Sequence, residues 1–168
     1  KELHGIAYRT DFDLSRHMEA SGQDLRYRDP VSNEVFVPHV IEPTFGLDRM
    51  VLVTLLEHYS EVEGGRAEGK ESKHEKEIVL HLPKQLAPIK VAVLPLSKKE
   101  PLQTVAQEIA ADLRKHWMVQ YDETGAIGKR YRRQDEIGTP YCVTVDFDSI
   151  EDKKVTVRDR DTMEQERV

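Results

Sequence analysis

The chain has 168 residues, of which 38% are hydrophobic and 33% are charged, and its net charge is -6 at pH 7. This composition is typical of a folded domain, and no apolar run in the chain approaches the ~18 residues of a membrane helix. An acidic chain has no overall attraction to nucleic acid, so any such contact requires a local basic patch.

The single cysteine, Cys142, excludes an internal disulfide and a cysteine-rich zinc site, and it favours a reducing, cytoplasmic location. Cys142 lies in an apolar run and is expected to be a small core residue. The chain begins at Lys1 without an initiator methionine or a signal-peptide pattern, which predicts a fragment of a longer protein. The seven histidines lack metal-ligand spacing, and the sequence gives no basis for a Ser-His-Asp or Cys-His arrangement.

Two ordered zones, residues 1–83 and 84–168, are predicted to form separate domains of an α/β protein. A charged, glycine-containing run at about residues 61–77 lies in the first zone. This run has too few apolar side chains to offset its ordering entropy, so we expect a mobile insertion.

The first zone predicts a short strand that ends at Glu42 and a buried helix over Leu47–His58. The second zone alternates strands and helices, which indicates a mixed sheet covered by helices. Its predicted elements are a strand over Ile89–Val93 closed by Pro95, a helix over Leu102–Leu113, a strand over Trp117–Tyr121, a helix ending at Ile137, strands over Tyr141–Val145 and Val155–Val157, and a last helix capped by Asp161.

The segment Glu42-Pro43-Thr44-Phe45-Gly46-Leu47-Asp48-Arg49 is the most informative for function. A carboxylate ends a strand, a glycine permits close approach of a ligand to the backbone, and an arginine sits in the first turn of a helix. The guanidinium of Arg49 suits a phosphate. The alternative is that Glu42 and Arg49 form a local ion pair that only orients the helix.

This segment resembles motif 3 of the class II aminoacyl-tRNA synthetases, in the form typical of glycyl-tRNA synthetase. Four further stretches match that family in order: Glu2–Leu14 resembles its penultimate active-site strand, Leu86–Leu96 the opening of its anticodon-binding domain, Gly125–Tyr131 with Asp135–Pro140 the next part, and Thr156–Met163 the closing strand and helix. The resemblance therefore implies the C-terminal edge of a class II antiparallel catalytic sheet, followed by a mixed-sheet anticodon-binding domain.

The resemblance implies that the parent protein activates glycine with ATP and Mg²⁺ and transfers it to tRNA-Gly. It assigns catalysis to Glu42 and Arg49, with Glu42 accepting hydrogen bonds from the glycine ammonium. The implied glycine contacts are Glu42, Pro43, Thr44, Phe45 and Gly46; the implied ATP contacts are Glu2, Leu3, Gly46, Leu47, Asp48 and Arg49. Glu2 is also the candidate Mg²⁺ ligand.

A basic patch on the second predicted helix is the candidate tRNA contact. Lys129, Arg132 and Arg133 share a helix face, with Arg130 and Tyr131 between them, so a phosphate backbone and a stacked base could bind there. The alternative is a solvated helix face paired with neighbouring acidic residues. Arg158 and Arg160, at the end of the last strand, are further candidates.

The sequence lacks counterparts of motif 1, which builds the dimer interface, and of motif 2, so this chain alone is expected to be inactive. The full-length parent is expected to be a homodimer. Residues 1–83 are expected to expose apolar surface that the missing strands would cover. A non-catalytic nucleic-acid-binding accessory protein on the same scaffold is the alternative function, and a protein-interaction domain is a third.

Overall fold

The computed structural model describes residues 2–64 and 76–168. These residues form two compact units, Lys1–Val53 and Thr54–Val168. This division differs from the domain boundary predicted between residues 83 and 84. A packing unit and a domain of a larger enzyme are divided by different criteria, so the predicted boundary stays a prediction.

The first unit is built around a two-stranded antiparallel sheet. Its elements are β1 (His4–Thr10), α1 (Phe12–Ser21), β2 (Tyr27–Arg28), β3 (Val35–Phe36), β4 (Val40–Phe45) and the beginning of α2 (Leu47–His58). β1 pairs with β4, and β2 pairs with β3. The predicted strand is therefore divided into β3 and β4 and continues beyond Glu42 to Phe45, whereas the helix predicted over Leu47–His58 is confirmed.

One face of the β1–β4 sheet is apolar and exposed. Ile6 lies opposite Pro43, and Tyr8 lies opposite Ile41, so these four side chains share a face. Ile6 is 80% exposed, and none of the described residues from 2 to 53 is buried. The expected exposure of apolar surface is therefore confirmed for this sheet.

The second unit contains a five-stranded mixed sheet in the order β11-β10-β9-β7-β8. Its elements are β5 (Tyr59–Val62), β6 (Glu77–Leu80), β7 (Val91–Pro95), α3 (Glu100–Leu113), β8 (Val119–Tyr121), α4 (Ile127–Glu136), β9 (Tyr141–Val145), α5 (Asp148–Asp152), β10 (Thr156–Asp159) and β11 (Gln165–Arg167). β7 runs parallel to β8 and β9, while β10 is antiparallel to β9 and β11.

The two long helices cover opposite faces of this sheet. Val93 packs in a core with Leu102, Ala106 and Ala110 of α3. Its neighbours Ala92 and Leu94 form a second core cluster, against which Ile127 and Tyr131 of α4 pack. Successive strand residues point to opposite faces, so this alternation places α3 and α4 on the two sides. The predicted mixed sheet covered by helices is confirmed.

β5 and β6 form an antiparallel hairpin at the two ends of the predicted insertion. Glu61 and Val62 lie in β5 and Glu77 begins β6, so the prediction of a mobile insertion is wrong at these ends. Residues 65–75, the rest of that prediction, lie outside the described residues. The hairpin is anchored because Val79 is fully buried, and a Cβ at Gly138 (φ +80°) would meet the Leu80 carbonyl oxygen at 2.9 Å.

The predicted helix after Asp161 is wrong, because the chain instead turns back into β11. Asp159 organises the turn: its Oδ1 accepts hydrogen bonds from the Asp161 and Thr162 amides at 2.8 and 3.2 Å. The Asp161 carboxylate is bound to Arg160 and does not cap a helix. Over residues 2–64 and 76–168, no helix has the length and apolarity needed to cross a bilayer.

Candidate functional site

The second face of the β1–β4 sheet carries the polar residues of the candidate active site. Thr44 lies opposite Gly5, and Glu42 lies opposite Ala7, so all four share a face. The Thr44 hydroxyl donates to the Gly5 carbonyl oxygen at 3.3 Å. Because Gly5 and Ala7 have minimal side chains, they leave space for a small ligand beside the hydroxyl and the carboxylate.

Glu42 is held by an arginine from the neighbouring strand. Arg9 lies 3.3 Å from the Glu42 carboxylate and also binds Asp13 of α1. The hydrogen bond and the charge of Asp13 raise the pKa of Arg9 further above its usual value. Glu42 keeps 43% of its side chain exposed, so it can still accept hydrogen bonds from a cationic group. The alternative in which Glu42 pairs with Arg49 does not match this geometry.

A cavity of about 440 Å³ lies at the junction of β1, β4 and α2. Its lining contains every residue predicted to contact ATP: Glu2, Leu3, Gly46, Leu47, Asp48 and Arg49, together with His4, Gly5, Thr44 and Phe45. Two of the predicted glycine contacts, Glu42 and Pro43, do not line it. The structure thus brings together two segments that are far apart in the sequence.

Gly46 and Arg49 form hydrogen bonds that join the two chain segments lining this cavity. The Gly46 amide donates to the Leu3 carbonyl oxygen at 2.9 Å, and a Cβ at Gly46 would approach that oxygen to 3.2 Å. Arg49 donates to the Glu2 carbonyl oxygen. The positive end of α2 and the Arg49 guanidinium both lie in the cavity wall, an arrangement that favours an anionic ligand.

Arg130, a predicted tRNA contact, is buried in the protein interior. Its guanidinium donates to the carbonyl oxygens of Pro95 at 2.6 Å, Asp122 at 3.2 Å and Leu96 at 3.4 Å, and it is 2% exposed. Burial lowers the pKa of Arg130 and outweighs the attraction of Asp122. In this conformation, Arg130 joins the ends of β7 and β8 and does not face solvent.

The other three basic residues of α4 lie nearer the surface. Arg133 forms an ion pair with Asp122 and donates to the Thr124 carbonyl oxygen, so it orders the turn before α4. Lys129 is exposed and Arg132 is half-buried. The predicted shared face is present, but Arg133 is already engaged by the protein.

Arg158 and Arg160 are both buried. Arg158 makes a bidentate ion pair with Asp135 at 2.9 and 3.0 Å, and its guanidinium lies 4.8 Å from the centre of the Tyr131 ring. Arg160 donates to the carbonyl oxygens of Gly138 at 2.8 Å and Leu82 at 2.9 Å. Arg160 therefore ties β10 to the segment after β6, whereas Arg158 faces a cavity.

Two neighbouring cavities form a groove between α4 and the strands β10 and β11. The first, about 170 Å³, is lined by Glu77, Gly128, Tyr131, Arg132, Asp135, Arg158, Met163 and Gln165. The second, about 300 Å³, is lined by Leu96, Ile127, Tyr131, Thr144, Asp146, Thr156 and Gln165. Tyr131 and Gln165 belong to both, and a Cβ at Gly128 would meet nothing within 4 Å. We call these lining residues the α4 groove.

A serine, a histidine and an aspartate also come together, an arrangement that nothing in the sequence indicated. His81 is bonded through Nδ1 to Asp161 at 2.6 Å and through Nε2 to the Ser60 hydroxyl at 3.1 Å. The hydroxyl also donates to the Val79 carbonyl oxygen at 3.3 Å. The hydrogen bond from Arg160 lowers the pKa of Asp161 to about 2 despite partial burial. The three residues connect the β5–β6 hairpin to the C-terminal turn.

Cys142 is 1% exposed, which confirms its expected place in the core. Burial raises the pKa of its thiol to about 12, and the nearby Asp135 carboxylate adds to the shift. We expect the folded chain to resist a thiol-specific chromogenic reagent at neutral to mildly alkaline pH, and to react fully in concentrated guanidinium chloride, because the reactive thiolate is disfavoured and inaccessible. Rapid stoichiometric labelling of the folded chain would contradict this placement.

Comparisons with known proteins indicate the class of protein that has this fold. Residues 90–168 match the family model described as "Anticodon binding domain". The RNA binding domain of threonyl-tRNA synthetase from Cryptosporidium parvum is 27% identical with a TM-score of 0.62, over 86% of this chain and 32% of that chain. Prolyl-tRNA synthetase from the same organism shares the fold at 19% identity, with a TM-score of 0.69 over 99% and 30% of the two chains. The fold is that of the C-terminal part of a class II synthetase.

Sequence similarity is higher to one kind of synthetase. The chain is 60% identical over 167 residues to the glycine–tRNA ligase of Clostridium perfringens, which covers 99% of this chain and 35% of that protein. The chain is similar over nearly its whole length to the C-terminal part of glycine–tRNA ligases, and it spans about a third of the length of the relatives that it matches. The resemblance found in the sequence is therefore confirmed.

Proposed function

We propose that the protein containing this chain is a glycine–tRNA ligase, which activates glycine with ATP and transfers it to tRNA-Gly. In this proposal the first unit contributes part of the active site and the second unit binds the anticodon. The observation that carries the first assignment is the cavity at β1, β4 and α2, where all the predicted ATP contacts lie together. We further propose that the complete enzyme is a cytoplasmic homodimer.

The polar face of the β1–β4 sheet supports glycine selection. The Glu42 carboxylate accepts hydrogen bonds from the glycine ammonium, and Thr44 limits the space above Gly5. A Cβ on Gly5 would lie 2.5 Å from the Glu2 carboxylate and 3.0 Å from the Thr44 hydroxyl, so the available room is already small. A pocket of this kind excludes amino acids with side chains by steric conflict, which a site for the smallest substrate can do without editing.

The cavity supports ATP binding through charge. Arg49 and the N-terminus of α2 neutralise the triphosphate, and adenylate formation needs chiefly positioning and charge stabilisation. Glu2 and Asp48 line the same cavity and offer carboxylate oxygens of the type that Mg²⁺ prefers. When bound, Mg²⁺ would offset negative charge on the phosphates.

The α4 groove supports anticodon binding. It combines an aromatic ring, Tyr131, with a half-exposed arginine, Arg132, and it lies next to the exposed Lys129. Single-stranded RNA bases stack on aromatic rings and guanidinium planes, and basic side chains contact the phosphates between them. The buried positions of Arg130 and Arg160 favour structural roles for these two residues, so we assign phosphate contacts to Lys129 and Arg132.

A titration of this chain with tRNA tests the proposal. We expect preferential binding to tRNA with a glycine anticodon over tRNA with a changed anticodon, at two salt concentrations. Replacing Lys129 and Arg132 together with alanine should weaken both complexes and lower the slope of log K against log salt by about one per lost phosphate contact. Lys153→Ala, a change of charge away from the groove lining, is the control.

Equal binding to both tRNAs, or no binding, would contradict the anticodon-reading role. Anticodon preference with no glycine-dependent ATP–pyrophosphate exchange by the complete enzyme would instead favour the accessory-protein alternative. The presence of Glu2, Glu42, Thr44 and Arg49 in chemically suitable positions supports the ligase.

A further inference from the structure

Arg9 is shared between two carboxylates on the polar side of the β1–β4 sheet. Its guanidinium donates to both oxygens of Asp13, and the bond from its Nη2 atom to Oδ1 is 2.7 Å long. The Nε atom of the same guanidinium lies 3.3 Å from the Oε2 atom of Glu42. In residues 2–64 and 76–168, Arg9 is the one cation that pairs with Glu42. Arg9 therefore binds Asp13 by two hydrogen bonds and contacts Glu42 more loosely.

The backbone at Arg9 departs from regular strand geometry. Arg9 is the extra residue of a β-bulge, because Tyr8 lies opposite Ile41 and Thr10 lies opposite Val40. Thr10 has a left-handed backbone with φ +55°, which is rare for a β-branched residue. Bulges re-aim side chains, and strained residues persist where the surrounding structure requires them. The backbone therefore supports a specific placement of the Arg9 side chain.

The three side chains have a formal charge of -1 in total. The hydrogen bond from Arg9 holds the pKa of Asp13 below its usual value, so Asp13 is ionised at neutral pH. Two carboxylates and one guanidinium leave a single negative charge, which is the complement of one ammonium group. Without the charge of Asp13, the Arg9 guanidinium would cancel the charge of Glu42 and repel a nearby ammonium, since like charges at close range disfavour each other.

We propose that Asp13 is a positioning residue for glycine, which acts through Arg9 to keep the Glu42 carboxylate available to the substrate ammonium. The proposal rests on the proposed function, in which Glu42 accepts hydrogen bonds from that ammonium. Arg9 orients Glu42, and Asp13 offsets the charge that Arg9 brings to the site. Asp13 belongs to α1 and does not line the 440 Å³ cavity, so its effect is exerted through Arg9.

Glycine-dependent ATP–pyrophosphate exchange by the complete enzyme tests this role. Asp13→Asn keeps the size of the side chain and one acceptor for Arg9, but it removes the charge. We expect the KM for glycine to rise by roughly tenfold, which is the effect of weakening one charge-assisted interaction. The KM for ATP should change much less. Asp13→Glu keeps the charge, so it should raise the KM for glycine less than Asp13→Asn does.

A double variant distinguishes charge balance from a structural tie between β1 and α1. Combining Arg9→Met with Asp13→Asn removes both charges and leaves the charge of Glu42 alone at the site. We therefore expect the double variant to recover much of the increase in the KM for glycine that Asp13→Asn causes. If the pair only joined β1 to α1, the double variant would be at least as impaired as the single one.

Asp24→Asn is the matched control, because Asp24 pairs with an arginine, Arg26, on the exposed surface of the same unit. This control removes the same charge from the same kind of ion pair and should leave the KM for glycine unchanged. Thermal melting of every variant is measured alongside the exchange assay, so that only folded enzymes are compared.

The outcomes separate this role from the proposed function. If folded Asp13→Asn keeps the KM for glycine of the unaltered enzyme, the role of Asp13 is overturned and the ligase function stands. Equal losses of kcat/KM for glycine and for ATP, without recovery in the double variant, would show a structural role and also overturn it. If the unaltered enzyme shows no glycine-dependent exchange, the ligase function itself fails, and the role of Asp13 fails with it.

Discussion

Arg49→Ala in the complete enzyme is expected to lower glycine-dependent ATP–pyrophosphate exchange by about a hundredfold to a thousandfold. Removing one preorganised donor from a site where charge is stabilised has effects of this order. Arg49 lies in the wall of the 440 Å³ cavity beside the N-terminus of α2, where a triphosphate would need a permanent cation. The loss should appear mainly in kcat/KM for ATP, with a smaller change for glycine.

A second role of Arg49 makes a control necessary. It donates to the Glu2 carbonyl oxygen, so the alanine variant also loses a link between β1 and α2. Arg49→Lys keeps the charge but loses the planar fork, and it should recover part of the activity. Arg26→Ala is the matched control, since Arg26 pairs with Asp24 on the surface of the same unit. Unchanged exchange with Arg49→Ala would refute the assignment.

The sequence was sufficient to predict those helices and strands whose apolar pattern is contained within the element itself. The helices α2, α3 and α4 and the strand β9 were all predicted, because each shows its own periodicity or a compact apolar run. The active-site cavity could be anticipated only through resemblance, since Glu2 and Arg49 are far apart in the chain. Nothing in their spacing alone indicates that Gly46 pairs with Leu3 to bring them together.

The roles of the arginines could not be predicted from charge. Arg130, Arg158 and Arg160 look like surface cations in the sequence, yet each is 5% exposed or less. Their burial depends on carbonyl groups and on a carboxylate from distant segments, which a helix-face argument does not include. The motif Arg158-Asp159-Arg160-Asp161 contains one signal that could have indicated the turn, because Asp159 is the type of residue that organises a turn.

The two hairpins, β5–β6 and β10–β11, could not be predicted from the sequence for a related reason. β5 and β6 are joined through a long charged run, so the sequence shows no tight-turn signal between them. β11 is a strand of three residues, Gln165–Arg167, which is too short and too polar to give a periodic pattern. Both hairpins are defined by partners, β6 by α4 and β11 by β10, and only the tertiary structure contains that information.

Asp135→Ala is expected to lower the free energy of unfolding of this chain by about 3–5 kcal/mol. Its side chain is 1% exposed and pairs with Arg158, which is 5% exposed. Removing one partner leaves an uncompensated charge in the interior, and this is the costly change. Burial lowers the pKa of Arg158, whereas the hydrogen bond and charge of Asp135 raise it above its usual value. The variant loses both contributions of Asp135, but a guanidinium stays protonated at neutral pH, so the charge of Arg158 is left unpaired in the core.

A double variant separates the loss of the pair from the cost of the unpaired charge. Asp135→Leu combined with Arg158→Met removes both charges, and we expect it to recover most of the stability, because apolar replacements of a buried pair are often neutral. Asp112→Ala, which removes an exposed ion pair with Lys115, is the control and should leave the urea midpoint unchanged. If Asp135→Ala alone were as stable as the unaltered chain, the buried pair would not hold α4 to β10.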